Sequence, residues 1–562
     1  MSILDRVVSP TQLKRLPTKA LPGLCSEIRR LIIDVCAHNG GHLGGNLGAV
    51  ELIVSLHRVF NYQRDKFVFD VGHQAYTHKI LTGRYHDFAT LRQKNGLAPF
   101  PLPAESEADS FIAGHAGNSV SAALGLSYGL AAHAWSIAVI GDGSLANGMV
   151  FEALNHLGTS QQNVLVIIND NGYTIDKTVG ALATEENYRR LAQTFNLPYH
   201  FLASGHDISK LSAKLKELKK LTGPQILHIK TVKGCGDDKA CQHKLKAHTI
   251  SANFGKISTE LPKQPYQKIV VETLLKLAAK NRDLMVVTPA MGSATNLNEF
   301  AAKFPHQFFD VGIAEEHAVT FAAGLAAAGK QVFCHLYSTF AQRAFDQLIH
   351  DVALPNLPVT FLIDRAGIVG EDGATHQGIF DLSFFSSIPN FVLAAPQDAR
   401  ELAALIKMSP SINAPLAIRY PRAALEKNFT EALDYRLVFG RALQLRNSKK
   451  KNLVFLTTGS MSQAVKDLAG DFAHYHFPFV KPLDKKVLRQ IARTYQQIIT
   501  VEENVANGGF GAAVSRLLIE NFSFTGKVKT IALPDQFVFH APRATLLDDY
   551  GLSSKKLAKL LH

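Results

Sequence analysis

Cysteine is scarce in this chain of 562 residues: five are scattered from Cys25 and Cys36 through Cys235 and Cys241 to Cys334. That scatter excludes the disulfide framework that staples small secreted domains and points to a reducing compartment. Cys235 and Cys241 stand near His243 and His248, yet no C-x-x-C pair starts a structural zinc site. Long blocks of like charge are also missing, Lys449-Lys450-Lys451 being the densest, and basic residues do not alternate with aromatics. The formal net charge of +13 therefore fits steering of small anions and argues against nucleic-acid binding. The first residues, Met1-Ser2-Ile3-Leu4-Asp5-Arg6, lack the basic-then-apolar layout of a secretory signal. An unbroken apolar span is absent as well. The nearest approach, Ser119 to Ile140, is interrupted by Gly125, Gly129, His133 and Ser136, and reads as a helix followed by a buried strand. A cytoplasmic protein with no membrane or nucleic-acid partner is the expectation.

What is present is an ordinary globular balance, 19% charged and 46% hydrophobic, with apolar runs alternating with helical patterns. That alternation predicts α/β architecture built on mainly parallel sheets. The Pro/Lys-rich stretch Leu261-Pro262-Lys263-Gln264-Pro265 and the polar stretch from Arg422 to Arg436 break the chain into three α/β domains: residues 1–260, 266–425 and 436–562. One internal similarity crosses the first break. Residues 114–143 and 312–340 each read as a glycine turn, a helix of small residues and a strand, consistent with two copies of one α/β unit.

Two segments carry chemistry. In the first, Gly141-Asp142-Gly143-Ser144 follows the apolar strand Ile137–Ile140, and Asn171 lies 29 residues beyond Asp142 at the end of another apolar run. A carboxylate and an amide oxygen at neighbouring strand ends can hold a divalent metal against a diphosphate, and hard oxygen ligands suit magnesium. In the second, Gly312-Ile313-Ala314-Glu315-Glu316-His317 opens a small-residue helix. Alone, Glu315 reads as a first-turn carboxylate facing the helix dipole. Taken with the upstream motif, the segment resembles the thiamine-diphosphate enzymes, and that resemblance makes Glu315 a candidate carboxyl for the coenzyme's aminopyrimidine. Glu316 and His317 cannot share its face, because successive helical residues diverge by about 100°. Phe340, at the expected turn Ser338-Thr339-Phe340, could stack on a pyrimidine ring.

These motifs lie within longer ones. Gly41-His42-Leu43, Asp70-Val71-Gly72-His73-Gln74-Ala75-Tyr76, His78-Lys79-Ile80-Leu81-Thr82-Gly83-Arg84 and Gly114-His115 occupy the first half. Tyr337-Ser338-Thr339-Phe340, Gln342-Arg343-Ala344, Asp364-Arg365-Ala366-Gly367, Asp372-Gly373-Ala374-Thr375-His376-Gln377-Gly378 and Arg419-Tyr420-Pro421-Arg422 follow. In this order the chain resembles the 1-deoxy-D-xylulose-5-phosphate synthase family, relatives of transketolase, over nearly its whole length. The resemblance implies a transketolase-like fold and a homodimer with each site inside one chain. It also implies a transferase that condenses pyruvate with D-glyceraldehyde 3-phosphate for isoprenoid, thiamine and pyridoxal biosynthesis. Thiamine diphosphate would be bound by His73, His115, Gly141, Asp142, Gly143, Ser144, Asn171, Ile313 and Phe340. Mg2+ would be held by Asp142, Asn171 and the Tyr173 carbonyl. Glu315, His42, His376 and Asp372 would serve catalysis, and Tyr337, Arg343, Arg365, Arg422 and His248 would bind substrate, with Arg365, Arg422 and Tyr337 on the acceptor phosphate.

The chain departs from that family in places. Only about twenty residues separate Gly180-Ala181-Leu182 from Gly205-His206-Asp207, where the family usually has several tens. Gly44-Gly45-Asn46-Leu47 stands for Gly-Ser-Ser-Leu, Ala116-Gly117-Asn118-Ser119 for Ser-Ser-Thr-Ser, and Asn171-Gly172-Tyr173-Thr174 for Asn-Glu-Met-Ser. Two other functions fit parts of the pattern: a transketolase-type ketol transferase, and a non-catalytic paralogue that binds thiamine diphosphate.

Overall fold

The computed structural model describes residues 2–7, 9–174, 176–182, 184–243, 247–252, 266–423 and 437–561. The Leu261–Pro265 break and the polar stretch from 424 to Arg436 lie outside them. The chain divides into two units, Met1–Thr259 with Gly312–Ala314, and Glu260–Val311 with Glu315–His562.

The first unit is organised by a five-stranded sheet in the order Lys66–Phe69, Ser136–Gly141, Val164–Asp170, Gln225–Lys230, Tyr199–Leu202. Every pairing is parallel. Its central strands read as apolar runs, Ile137–Ile140 and Val164–Ile168, because both faces are covered. Ile137, Val139, Leu165 and Ile167 pack with Leu52, Leu56, Leu211 and Leu215 on one side. Ala138, Ile140, Val166 and Ile168 pack with Val120, Val150 and Leu154 on the other. The period-two alternation thus feeds two cores from the same strands. The stretch from Ser119 is a helix, Ser119–Ser127, then the strand, as expected, and no described helix is long and apolar enough to cross a membrane. The shortened region after Leu182 is filled by the helix Glu185–Thr194, capped by the Thr184 side chain, which leads to the edge strand Tyr199–Leu202.

A buried polar network accounts for much of the His78–Arg84 motif. His57 Nε2 meets His78 Nδ1 at 2.9 Å, and His78 Nε2 meets Asp109 at 2.9 Å. Arg84 grips both Asp109 oxygens at 2.7 and 2.9 Å and Glu105 at 2.8 Å, while Lys79 also pairs with Glu105. Burial opposes the Asp109 charge, but the bonds from His78 and Arg84 hold its carboxyl well below the usual range. Arg84 is the cation shared by both carboxylates; without it Asp109 keeps only His78 and a backbone N–H and Glu105 keeps Lys79, so Arg84→Ala should cost about 3 kcal/mol. Urea unfolding of the variant against wild type measures it; a loss under about 1 kcal/mol would show that the network relaxes or hydrates.

The second unit carries two sheets. The seven-stranded one has the order Phe479–Lys481, Val392–Ala394, Leu416–Arg419, Val359–Asp364, Gln331–Tyr337, Leu284–Thr288, Phe308–Asp310. Only the outermost strand, Phe479–Lys481, is antiparallel, with Leu393 opposite Lys481 and Ala394 opposite Phe479. The five-stranded sheet runs Leu443–Arg446, Ala473–His476, Leu453–Thr457, Gln497–Val505, Lys527–Leu533, antiparallel only at its first strand. Mainly parallel α/β architecture is therefore observed throughout. The small-residue helix Glu315–Ala327 buries Ala318, Ala322, Ala323 and Ala326 and leads into Gln331–Tyr337, the same helix-then-strand order as Ser119–Gly141. The expected turn at Ser338–Phe340 is instead a helical turn, Ser338–Ala341. The tetrapeptide contains no Gly or Pro to reverse the chain, and Thr339 Oγ1 donates to the Thr375 carbonyl at 3.0 Å.

Candidate functional site

In the first unit the candidate residues gather at the carboxyl ends of the parallel strands, where open α/β sheets present their ligand sites. Gly141 pairs with Asn169, so Asp142 and Asn171 emerge side by side from neighbouring strands. Asp142 is 3% exposed. Burial pushes its carboxyl up to about 6, against the lowering effect of the Thr178 hydroxyl, which donates to it at 2.6 Å; the nearby Asp170 charge adds to the rise. Asn171 Oδ1 accepts the Tyr173 N–H at 3.1 Å and keeps a second lone pair. Tyr173 is held by a bridge to Lys177. A buried, destabilised carboxylate beside an amide oxygen and backbone carbonyls is a donor set that fits Mg2+. Among the described residues no three His, Cys, Asp or Glu side chains converge as a metal cluster.

The turn admits no side chain at Gly143, where a Cβ would lie 1.8 Å from Thr174 Cγ2. Ser144 is buried at the start of the next turn. Asn147 caps the helix Gly148–Leu157 and donates to the Ile313 carbonyl at 3.2 Å, which fixes that backbone within this unit. His115 is half-buried in a loop whose Gly117 and Ser119 N–H groups donate to Asp70 at 3.0 and 3.2 Å.

His42, His73 and His248 form a cluster, with ring centroids 5.7–6.1 Å apart. Burial, reinforced by the Lys233 charge, holds His73 down to about 4 and His248 well below the ordinary range, so both rings are neutral at pH 7. Lys233 lies 3.2 Å from His248 Nδ1 and donates to the Thr174 carbonyl at 2.5 Å, tying the cluster to the loop after Asn171. Asn46 braces it from behind, donating to the carbonyls of His42 and His73 at 2.6 Å each and accepting the Tyr76 N–H at 2.9 Å. The bare Gly45 lets His73 close in, since a Cβ there would sit 3.0 Å from the ring. Asn46 entered the sequence reading only as a departure from the family, and neither it nor Lys233 announces such contacts locally.

In the second unit Glu315 begins its helix, 2% exposed. Burial pushes its carboxyl up to about 7 despite the Arg343 charge, with Arg343 Nε 3.5 Å from Oε2. That Oε2 has no hydrogen-bond partner among the described residues. Glu316 is half-buried and His317 exposed, as their divergence from Glu315 requires. The Phe340 ring stacks on Tyr337 at 5.6 Å and meets the edge of His376 at 5.6 Å. Thr375 Oγ1 contacts His376 Nδ1 at 2.9 Å. Arg365, at a left-handed φ of 57°, lays its guanidinium 4.1 Å from the Tyr337 ring centre. The Arg365 charge pushes the Arg422 pKa down, and Arg422 reaches Asp372 at 3.7 Å. Two guanidiniums that repel one another leave positive charge that an anion would offset, and their planar forks suit phosphate oxygens.

Residues 4–197 match the family described as 1-deoxy-D-xylulose-5-phosphate synthase, residues 263–427 the transketolase pyrimidine binding domain, and residues 440–557 the transketolase C-terminal domain. The 1-deoxy-D-xylulose-5-phosphate synthase of Bacteroides thetaiotaomicron is 37% identical, covering 100% of this chain and 96% of that protein. That of Pelotomaculum thermopropionicum is 40% identical over 99% of this chain and 96% of its own. Among solved structures, a split-gene transketolase described as an inactive beta4 tetramer is 28% identical with a TM-score of 0.48, over 53% of this chain and 97% of that one. Campylobacter jejuni transketolase is 20% identical with a TM-score of 0.46, over 97% of this chain and 100% of its own. With full-length relatives at this identity, the chain belongs to the 1-deoxy-D-xylulose-5-phosphate synthase family of transketolase-type transferases.

Proposed function

We propose that this protein joins pyruvate to D-glyceraldehyde 3-phosphate with loss of carbon dioxide, giving 1-deoxy-D-xylulose 5-phosphate, on thiamine diphosphate held through Mg2+. The observation that carries the reading is the buried Glu315 carboxyl, raised to about 7 with an unsatisfied Oε2, which suits a hydrogen bond to a pyrimidine nitrogen. Bound thiamine diphosphate supplies the electron sink for decarboxylation. Asp142, Asn171 and the Tyr173 carbonyl hold the metal, and His73 and His115 meet the diphosphate beside Gly141, Gly143, Ser144 and Ile313. Phe340 covers the pyrimidine. His42 would serve the reacting carbon, and His248 and Arg343 would each bind substrate. Arg365 and Arg422 fork onto the acceptor phosphate with Tyr337 beside them. His376, its Nδ1 held by Thr375, exchanges a proton with the aldehyde oxygen, and Asp372 keeps Arg422 turned toward the phosphate.

Family membership and the three sheets support three domains, at 1–260, 266–425 and 436–562, and a homodimer in the cytoplasm serving isoprenoid and thiamine biosynthesis. The test is carbon dioxide release from pyruvate with thiamine diphosphate and Mg2+, with and without D-glyceraldehyde 3-phosphate, and analysis of the product. Product formed only from a ketose donor would replace this reading with a ketol transfer. In the same assay, Arg365→Ala should raise KM for the phosphorylated aldehyde by roughly 100-fold, leaving KM for pyruvate within about threefold. Equal changes in both would remove Arg365 from the phosphate.

A further inference from the structure

One hydrogen-bonded chain links the end of the strand Val164–Asp170 to two loops beside the histidine cluster. Thr231 Oγ1 donates to Asn169 Oδ1 at 2.6 Å, and Asn169 Nδ2 donates to Gln74 Oε1 at 2.8 Å. Gln74 Nε2 then lies 3.3 Å from His73 Nε2. Thr231, Asn169 and Gln74 are all buried. Each amide has its oxygen occupied by the preceding donor, so the end of the chain that reaches His73 is an N–H. An imidazole nitrogen receiving an N–H must offer its lone pair, and in a neutral ring the proton then sits on the other nitrogen. That other nitrogen, His73 Nδ1, is buried and makes no hydrogen bond among the described residues.

We propose that the Thr231–Asn169–Gln74 relay sets His73 in its Nδ1–H tautomer, so that Nδ1 stands as a fixed donor to a diphosphate oxygen of the bound coenzyme. Gln74 is thus a positioning residue: it touches no ligand and acts through the ring it orients. The proposal rests on the thiamine diphosphate reading for its ligand, though the tautomer itself does not. A neutral donor of this kind carries no charge that titrates near pH 7, so its contribution to coenzyme binding should be level across the physiological range. Asn46, which holds the His73 carbonyl, fixes the backbone while Gln74 fixes the ring.

Gln74→Glu puts an acceptor where a donor stood. It favours Nε2–H, turns the Nδ1 lone pair toward the diphosphate and raises the ring's affinity for a second proton. Thiamine diphosphate affinity, measured calorimetrically with Mg2+ as the ratio of variant to wild type, should be about 10–100-fold weaker at pH 8.5. It should recover toward wild type at pH 6, where both nitrogens carry protons. A ratio that does not change with pH overturns the relay, because a merely structural lesion would weaken binding equally at each pH. Nitrogen-15 shifts of the wild-type histidines without ligand, with His73 assigned by His73→Gln, give an independent reading that needs no coenzyme and no folded Gln74 variant. The expected pattern is a protonated Nδ1 and a bare Nε2; the reverse overturns the proposal. Wild-type protein that fails to bind thiamine diphosphate at all would sink the functional reading, while the tautomer measurement still decides the relay.

Discussion

Glu315→Gln should lower kcat by roughly 1,000-fold while leaving the fold intact. Glutamine keeps the size and one hydrogen-bonding oxygen of the side chain but cannot hold or release the carboxyl proton. The carboxyl is well placed for that work because burial has lifted it to about 7, from an ordinary 4.5. The same shift makes a stability claim of definite sign. An acid with a raised folded-state pKa is fully tolerated below its unfolded value, and stability falls as pH climbs from 4.5 toward 7. Across that window the ligand-free wild type should lose up to about 3 kcal/mol to this group alone. The glutamine variant has no such loss, so without ligand it should be more stable than wild type at pH 8 and similar at pH 4.5. Initial rates with pyruvate and denaturant unfolding at the two pH values test both halves. Turnover unchanged by the substitution would take Glu315 out of the chemistry.

The second large effect concerns Asp142→Asn. A direct metal ligand should matter more than its supporting partners, so Mg2+-dependent thiamine diphosphate affinity should fall by more than about 100-fold. Wild type should show a characteristic pH response as well. Mg2+ needs the ionised carboxylate, and burial has raised Asp142 to about 6 in the protein without metal. Apparent Mg2+ affinity should therefore climb about tenfold per pH unit below 6 and level off above it. The asparagine variant should lose this slope. Without metal at pH 8 it should unfold at or above the wild-type temperature, because the wild-type carboxylate is ionised there at a cost. Thermal unfolding with and without Mg2+ and coenzyme, from pH 5 to 8, distinguishes these outcomes. A variant that Mg2+ still stabilises as strongly as wild type would mean that the metal binds elsewhere.

How far the sequence revealed these sites depended on whether a residue's partners were local. Asp142 was legible because four apolar residues end abruptly in Gly-Asp-Gly, and Asn171 because the next apolar run ends the same way. Parallel strands covered on both faces favour polar side chains at their ends, so pattern and position coincide there. Glu315 was legible as a helix start, and its separation from Glu316 and His317 followed from helical geometry. Arg365, Arg422 and Tyr337 came only through the family resemblance. Nothing within the run 337–422 says that these three side chains, on separate elements, will come together. Asn46 and Gln74 were less visible still. Asn46 carries an amide to a carbonyl 27 residues away, and the Gln74 side-chain oxygen accepts from an amide 95 residues away; such contacts exist only once the segments at the strand ends have assembled. The His78–Arg84 run read as a family mark, whereas its charges prove to be spent on Asp109 and Glu105, an interior framework that no spacing rule reveals.

The short strand Phe479–Lys481 has a consequence for how this chain can be divided. It comes from the tail, yet its backbone closes the margin of the middle sheet against Val392–Ala394, and the Ala395 N–H finds its acceptor at Pro478. A polypeptide cut near residue 436 would strip that margin and leave its amides and carbonyls open to any strand from a neighbouring molecule. The tail thus insulates the central sheet from polymerisation, and gene fission or module swapping at that junction carries an aggregation penalty that a sequence boundary alone would hide.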